Sequence, residues 1–165
     1  MITTNDLAGY FARNAQNMAK FCDGLSHDES LLQPHGIEGN CLNWVVGHLV
    51  NSRNTILRLT GAPDKQWVSY RSWEALRARY GNGSLPIKAD GDDVLKLSQI
   101  LEGLNATQAN ITAHFATLSA EQANAEIDFL GRRLPLDHFI LYMFGHENYH
   151  IGQFEYLRPL SGKPN

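Results

Sequence analysis

The stretch GHENYHIGQ, residues 145–153, decides how this chain is read. It contains His146-Glu147-x-x-His150, which on a helix is the zinc-protease signature. Residues four apart on a helix differ by about 40° in direction and about 6 Å in height, so two imidazoles there converge on one cation from one side. A divalent ion still needs at least a third ligand and usually a water. The residues after His150 include Glu155 but no histidine, so the peptidase reading lacks its ligand on that side. The expectation is a metal site of another kind.

Working upstream, the periodicity of 136–157 is that of a helix ending before Pro159, with Phe139, Met143, His146, His150 and Gln153 on one face. Another third ligand lies in NWVVGHLVNS, where His48 shares a stripe with Cys41, Trp44, Val45, Ser52 and Thr55. That segment reads as a helix from near Asn40 to Thr60, stopped by Gly61 and Pro63. Three imidazoles, one from this helix and two from the last, are then able to meet inside a helical bundle.

The rest of the chain supports that architecture. Leu7, Tyr10, Phe11, Met18, Phe21, Cys22 and Leu25 mark a first helix opened by Thr4 or Asn5. Val94, Leu97, Ile100, Leu101, Leu104, Ile111, Phe115 and Leu118 mark a third, opened around Asp92–Asp93, whose carboxylates suit a helix N-terminus. Residues 61–91 are an irregular excursion holding the short amphipathic piece SWEALRARY, and DFLGRRL reads as a small turn or hairpin around Gly131. The expected fold is all-α, a four-helix bundle with one excursion between helices 2 and 3, in a single domain over 1–165.

Composition narrows the function classes. With 43% apolar and 19% charged residues over 165 positions, the chain is globular rather than disordered. A net charge of −3 and no basic cluster beyond Arg132–Arg133 argue against nucleic acid as a partner. No apolar run is long enough for a membrane span and no secretory leader is visible, so no membrane is expected. Cys22 and Cys41 lack CxxC spacing and are too few for a disulfide framework, which fits a cytoplasmic chain.

Two motifs together, LNWVVGHLVNSRNTILRLTG at 42–61 and HENYHIGQ at 146–153, resemble the DinB/YfiT-like superfamily of metal-dependent enzymes over essentially the whole chain. The resemblance implies a four-helix bundle in which His48, His146 and His150 bind a divalent metal, zinc or nickel. It also implies a homodimer, and a small-molecule substrate handled by thiol S-transfer with a low-molecular-weight thiol cosubstrate, or by hydrolysis. Many such proteins carry a further histidine one turn before the pair; here that position is Tyr142.

Three neutral imidazoles leave an ion open to water or to a thiol, so the ligand set alone does not choose between hydrolysis and S-transfer. Glu147 is a candidate general base, although its direction, about 80° from the bisector of the histidine pair, equally suits a bond to His48 or a salt bridge elsewhere. Tyr142 and Tyr149, on the opposite flank, are candidate donors to a bound group or packing residues. Gln153, one turn past His150, suits orientation of a ligand or an interior bond. Asn51 and Ser52, one turn beyond His48, are candidates to line the pocket or, ahead of that, to serve as capping or surface residues, and His27, His35, His114 and His138 read as exposed or incidental. Trp44, Phe139, Met143 and the excursion are candidate walls of a small-molecule pocket. The competing reading is a non-catalytic dimeric bundle that keeps the metal as a structural or stress-related element.

Overall fold

Thr3 opens the first helix: its hydroxyl accepts from the Asp6 N–H at 3.1 Å, and the Asp6 carboxylate accepts from the Thr3 N–H at 2.8 Å. This reciprocal cap lies one residue before the expected Thr4, because Thr3 is the hydroxyl that stands three positions ahead of the carboxylate. A computed structural model of the chain describes residues 3–34, 39–63 and 72–165.

The elements run α1 (Thr4–Cys22), α2 (His27–Ser30), α3 (Leu42–Leu59), α4 (Trp73–Tyr80), α5 (Leu97–Phe115), α6 (Ala120–Asn124), β1 (Glu126–Phe129), β2 (Arg132–Pro135) and α7 (Leu136–Leu157), closed by a 3-10 turn at Arg158–Ser161. The protein is mostly helical, and four helices, α1, α3, α5 and α7, are long. The expected hairpin is present: β1 and β2 pair antiparallel, turning through Leu130 (φ 52°) and Gly131 (φ 75°). Two successive positive φ values are what a two-residue hairpin turn requires.

Each long helix packs against two others, α1 and α3 both against α5 and α7. Two apolar clusters fill the space between them. One joins Met18 and Cys22 of α1 to Leu42–Val50 of α3, Ile100 and Leu104 of α5, and Phe154 and Leu157 of α7. The other joins Leu7 and Phe11 to Ile56, Leu57, Ile111, Phe115, Phe139 and Met143. The start of α1 thus lies with the ends of α3 and α5 and the start of α7, so α3 and α5 run the same way. Their connection must travel back along a helix of about 27 Å, which is why residues 61–96 form the long excursion. Residues 64–71 of it lie outside the described residues.

The start of α5 differs from expectation. Asp92–Asp93 sit in a turn, and the helix begins at Leu97 after Lys96, whose N–H is capped by the Gln99 side chain at 2.9 Å. Tertiary bonds hold the preceding segment out of the helix: the Leu95 N–H donates to the Tyr80 hydroxyl at 2.8 Å, and the Leu95 carbonyl accepts from Asn43 at 3.0 Å. Among the described residues no helix is long and apolar enough to cross a membrane.

Candidate metal centre

His48 sits mid-way along α3, 5% exposed, and three groups fix its ring. Trp44, one turn earlier, stacks on it at 4.8 Å between centroids with only 6° between planes. Its Nδ1 lies 2.8 Å from the Tyr80 carbonyl. A carbonyl only accepts, so Nδ1 carries the proton and Nε2 presents a bare lone pair. Tyr80 approaches this closely because its neighbour on α3 is Gly47: a Cβ there would stand 2.2 Å from the Tyr80 ring. The Tyr80 hydroxyl, bonded to Asn43 Oδ1 at 3.1 Å and to the Leu95 N–H, holds the whole residue in place.

His146 and His150 come from α7 and are half-buried. Ring centroids lie 5.1 Å apart for His48–His146, 4.8 Å for His48–His150 and 4.6 Å for His146–His150. One ring nitrogen from each lies within 4.8 Å of the other two. The Nε2 atoms of His48 and His146 are 3.2 Å apart, close to the roughly 3.3 Å that separates two nitrogens on a tetrahedral zinc. Gln153 Oε1 lies 3.0 Å from His150 Nδ1, so Gln153 orients His150 and frees its Nε2.

Electrostatics keep all three rings neutral, the form a metal requires. Burial pushes His48 down to about 4, with the Tyr80 carbonyl opposing and His150 adding to it. Burial, then His150 and His48, push His146 down to about 4. Burial lowers His150, against the pull of Gln153. His146 Nδ1 is buried and meets no partner among the described residues. The donor set therefore fits a divalent ion held by three Nε2 atoms.

Glu147 lies on a different face of α7. It is 0% exposed, and its Oε1 accepts from Arg53 Nε at 2.6 Å. Its Oε2 accepts from Arg53 at 3.1 Å and from Asn14 at 3.2 Å. Arg53 also donates to Gln108 at 2.9 Å and to the Phe11 carbonyl at 2.8 Å, so one network ties all four long helices. Of the alternatives open to Glu147, the salt bridge is the contact it makes. Tyr142 is 55% exposed and its ring lies against Phe129 of the hairpin at 5.7 Å. Tyr149, 71% exposed, lies beside His150 at 5.2 Å.

Other residues fall differently from expectation. Phe139 and Met143 are core, at 0% and 4% exposed, because their face of α7 meets Leu7, Phe11 and Ile111 rather than a pocket. Asn51 and Ser52 are buried. His114 is buried too, its Nε2 on the Thr60 carbonyl at 3.0 Å, where it satisfies the end of α3. His27 is half-buried and pairs with Asp90 at 3.0 Å. His138 is exposed, as expected, and His35 lies outside the described residues. A cleft of about 540 Å³ opens beside α4, lined by Arg58, Trp73, Glu74, Arg77, Asn82 and Ser84 among others, and by none of the three histidines. Ser84 links it to the site, accepting from Trp44 Nε1 at 2.9 Å.

Sequence reasoning missed Arg53, Asn14 and Tyr80. Arg53 sits in the polar run Asn51-Ser52-Arg53-Asn54, which reads as a solvated face. The available signal was the apolar residues flanking that run on both sides within one helix.

No curated protein matches the chain. Among solved structures, a crystal structure of a conserved protein from Enterococcus faecalis superposes with a TM-score of 0.70 at 15% identity, covering 99% of each chain, so the fold is shared. The sequence profile of the DinB superfamily matches residues 10–154, a span that includes His48, His146 and His150. This chain belongs to the DinB superfamily.

Proposed function

We propose that the chain is a metal-dependent enzyme, a single-domain four-helix bundle of the DinB type, acting on a small molecule by thiol S-transfer or hydrolysis. The observation that carries the reading is the convergence of three neutral imidazoles, two with Nδ1 already bonded so that Nε2 is free. His48, His146 and His150 hold the ion, zinc or nickel. When bound, it supplies Lewis acidity toward water or a low-molecular-weight thiol cosubstrate. Tyr80 and Trp44 set the plane of His48, and Gln153 sets that of His150. Glu147, enclosed by Arg53 and Asn14, anchors α7, which leaves proton transfer to solvent or to Tyr142 and Tyr149 on the exposed flank. We also assign the chain to the cytoplasm, since Cys22 and Cys41 are unpaired and buried, and to a homodimer.

One observation favours a second reading, a non-catalytic metal-binding dimer: the cleft beside α4 is lined by none of the three histidines. Metal analysis of purified protein, repeated on His48→Ala, tests the common step. Stoichiometric zinc or nickel in the wild type and loss in the variant support it; no metal uptake by the wild type refutes it. Thermal-shift screening of thiols on the loaded protein then tests the S-transfer branch: a shift specific to one thiol supports it, and indifference to every thiol leaves hydrolysis or the non-catalytic reading.

A further inference from the structure

The outer face of α7 carries a pattern that packing within the chain uses only in part, through the edge contacts of Tyr142 with Phe129 and of Tyr149 with His150. Tyr142, Tyr149 and Tyr156 recur every seven residues and are 55%, 71% and 81% exposed. Gly145 and Gly152 fall between them, and at 100° per residue all five lie within a sector of about 80°. From Leu141 to Tyr156 the exposed positions carry one charge, Glu155. Solvated helix faces are ordinarily far more charged than this.

The two glycines are the informative part. Glycine inside a helix is unfavourable relative to alanine. A Cβ at Gly145 or Gly152 would meet nothing within 4 Å, so packing within the chain gives no reason for either. Close approach of something outside the chain does.

The spacing identifies that partner as a second copy. A two-fold axis crossing the helix at position 147 sets residue 142 opposite 152 and residue 145 opposite 149. Every tyrosine of the central pair then faces a glycine of the other chain, in both directions at once, as an isologous interface demands. Large rings enter the gaps left by missing side chains, and the seven-residue recurrence keeps the seam in register along the crossing. The same axis places the two Glu155 side chains about 24 Å apart along the helix, so the one charge on the face does not meet its own copy. Taking about 200 Å² for a tyrosine, the three rings leave roughly 400 Å² exposed on this face. That is about half of the roughly 800 Å² per partner in a stable interface. Leu141, 45% exposed, adds to it from the same face.

We propose that the Tyr142–Gly145–Tyr149–Gly152–Tyr156 face of α7 seats a second copy of this chain, antiparallel and two-fold about position 147. Tyr149 borders His150, so the second copy's Tyr149 lies over Gly145, next to His146, and its Tyr142 lies over Gly152, beyond His150. The mouth of the histidine site is then bordered by both chains. This deepens the dimeric assignment in the proposed function by naming its surface, and rests on that assignment but not on the metal.

Sedimentation velocity of the full chain at tens of micromolar tests it. The wild type is expected to be a dimer. Gly145→Arg with Gly152→Arg is expected to be a monomer whose melting temperature in dilute solution is unchanged or higher, since both added side chains project into open space. Oxidative cross-linking tests the register: Tyr142→Cys with Gly152→Cys is expected to link two chains. Either substitution alone is not, because equivalent positions are about 15 Å apart, far beyond disulfide reach. Cys22 and Cys41 are buried and do not compete. A monomeric wild type overturns both the surface and the dimer. A double-arginine variant that still dimerises, or a double-cysteine variant that fails to link while still dimeric, overturns this surface alone. Metal content, measured in parallel, reports on the histidine site independently.

Discussion

Arg53→Met tests the structural role of Glu147. The guanidinium it removes donates to Glu147 Oε1 and Oε2, to Gln108 and to the Phe11 carbonyl, and both charged partners are fully buried. Glu147 would keep only the Asn14 amide. Breaking a buried pair from one side costs about 3–5 kcal/mol. For a chain of this size, the pH 7 loss corresponds to a melting temperature lower by roughly 7–15 °C.

Urea unfolding of wild type and Arg53→Met at pH 7 reads this directly. Arg53→Met with Glu147→Leu supplies the control: with neither charge left, about half or more of the loss should be recovered, because an apolar pair of similar volume is tolerated where a lone charge is not. A deficit below about 1 kcal/mol at pH 7 refutes the argument that this pair is structural.

Gly47→Ala puts a Cβ 2.2 Å from the Tyr80 ring, and the ring is pinned by Asn43 and Leu95. Overpacking of about 1–3 kcal/mol should outweigh the gain of about 1 kcal/mol from alanine in a helix, and urea unfolding showing a variant as stable as wild type would contradict it. Gln153→Leu removes the acceptor that orients His150, so zinc affinity by chelator competition should fall about 10–100-fold while stability barely moves; unchanged affinity would mean that Gln153 does not set the ring. In the metal-free protein, His48 and His146 titrate near 4 when folded and near 6.5 when unfolded. The unfolded chain thus binds protons first, and stability falls as pH drops from about 6.5 to about 4, by about 3 kcal/mol for His48 alone. His48→Ala should flatten that limb, and a wild-type stability constant between pH 7 and 4.5 would count against neutral buried rings.

What the sequence disclosed is what local chemistry controls. The bounds of α7 were readable because its apolar period runs unbroken between Pro135 and Pro159, and the hairpin because Gly131 interrupts two short runs. The three histidines were readable because i, i+4 spacing is a statement about one helix, and His48 stood out on an inward stripe. The start of α5 was not, since the bonds that keep Leu95 out of the helix come from Tyr80 and Asn43, fifteen and fifty-two positions away. Arg53 was hidden for a related reason: in isolation a charged residue among polar neighbours belongs at the surface, and only a carboxylate 94 positions later makes its burial affordable. Gly47 looked unremarkable until Tyr80 was placed against it.

The three candidate ligands are held by two anchors that have nothing to do with one another in sequence. His48 is set by Trp44 and Tyr80, on the side of α3 that faces α4. His146 and His150 are set by the rotation of α7 about its own axis, and apolar packing alone fixes that rotation weakly, because Leu, Ile and Phe accept one another in many arrangements. The Arg53–Glu147 pair accepts one arrangement. Glu147 follows His146 directly, so a turn of α7 large enough to carry His146 away from His48 would also pull Glu147 off the guanidinium and leave two buried charges apart. The penalty for that motion is the same few kcal/mol that the Arg53 variant measures. The network that crosses all four long helices therefore stabilises the fold and also holds the histidines together before any ion arrives, and the two effects should fall together when it is cut.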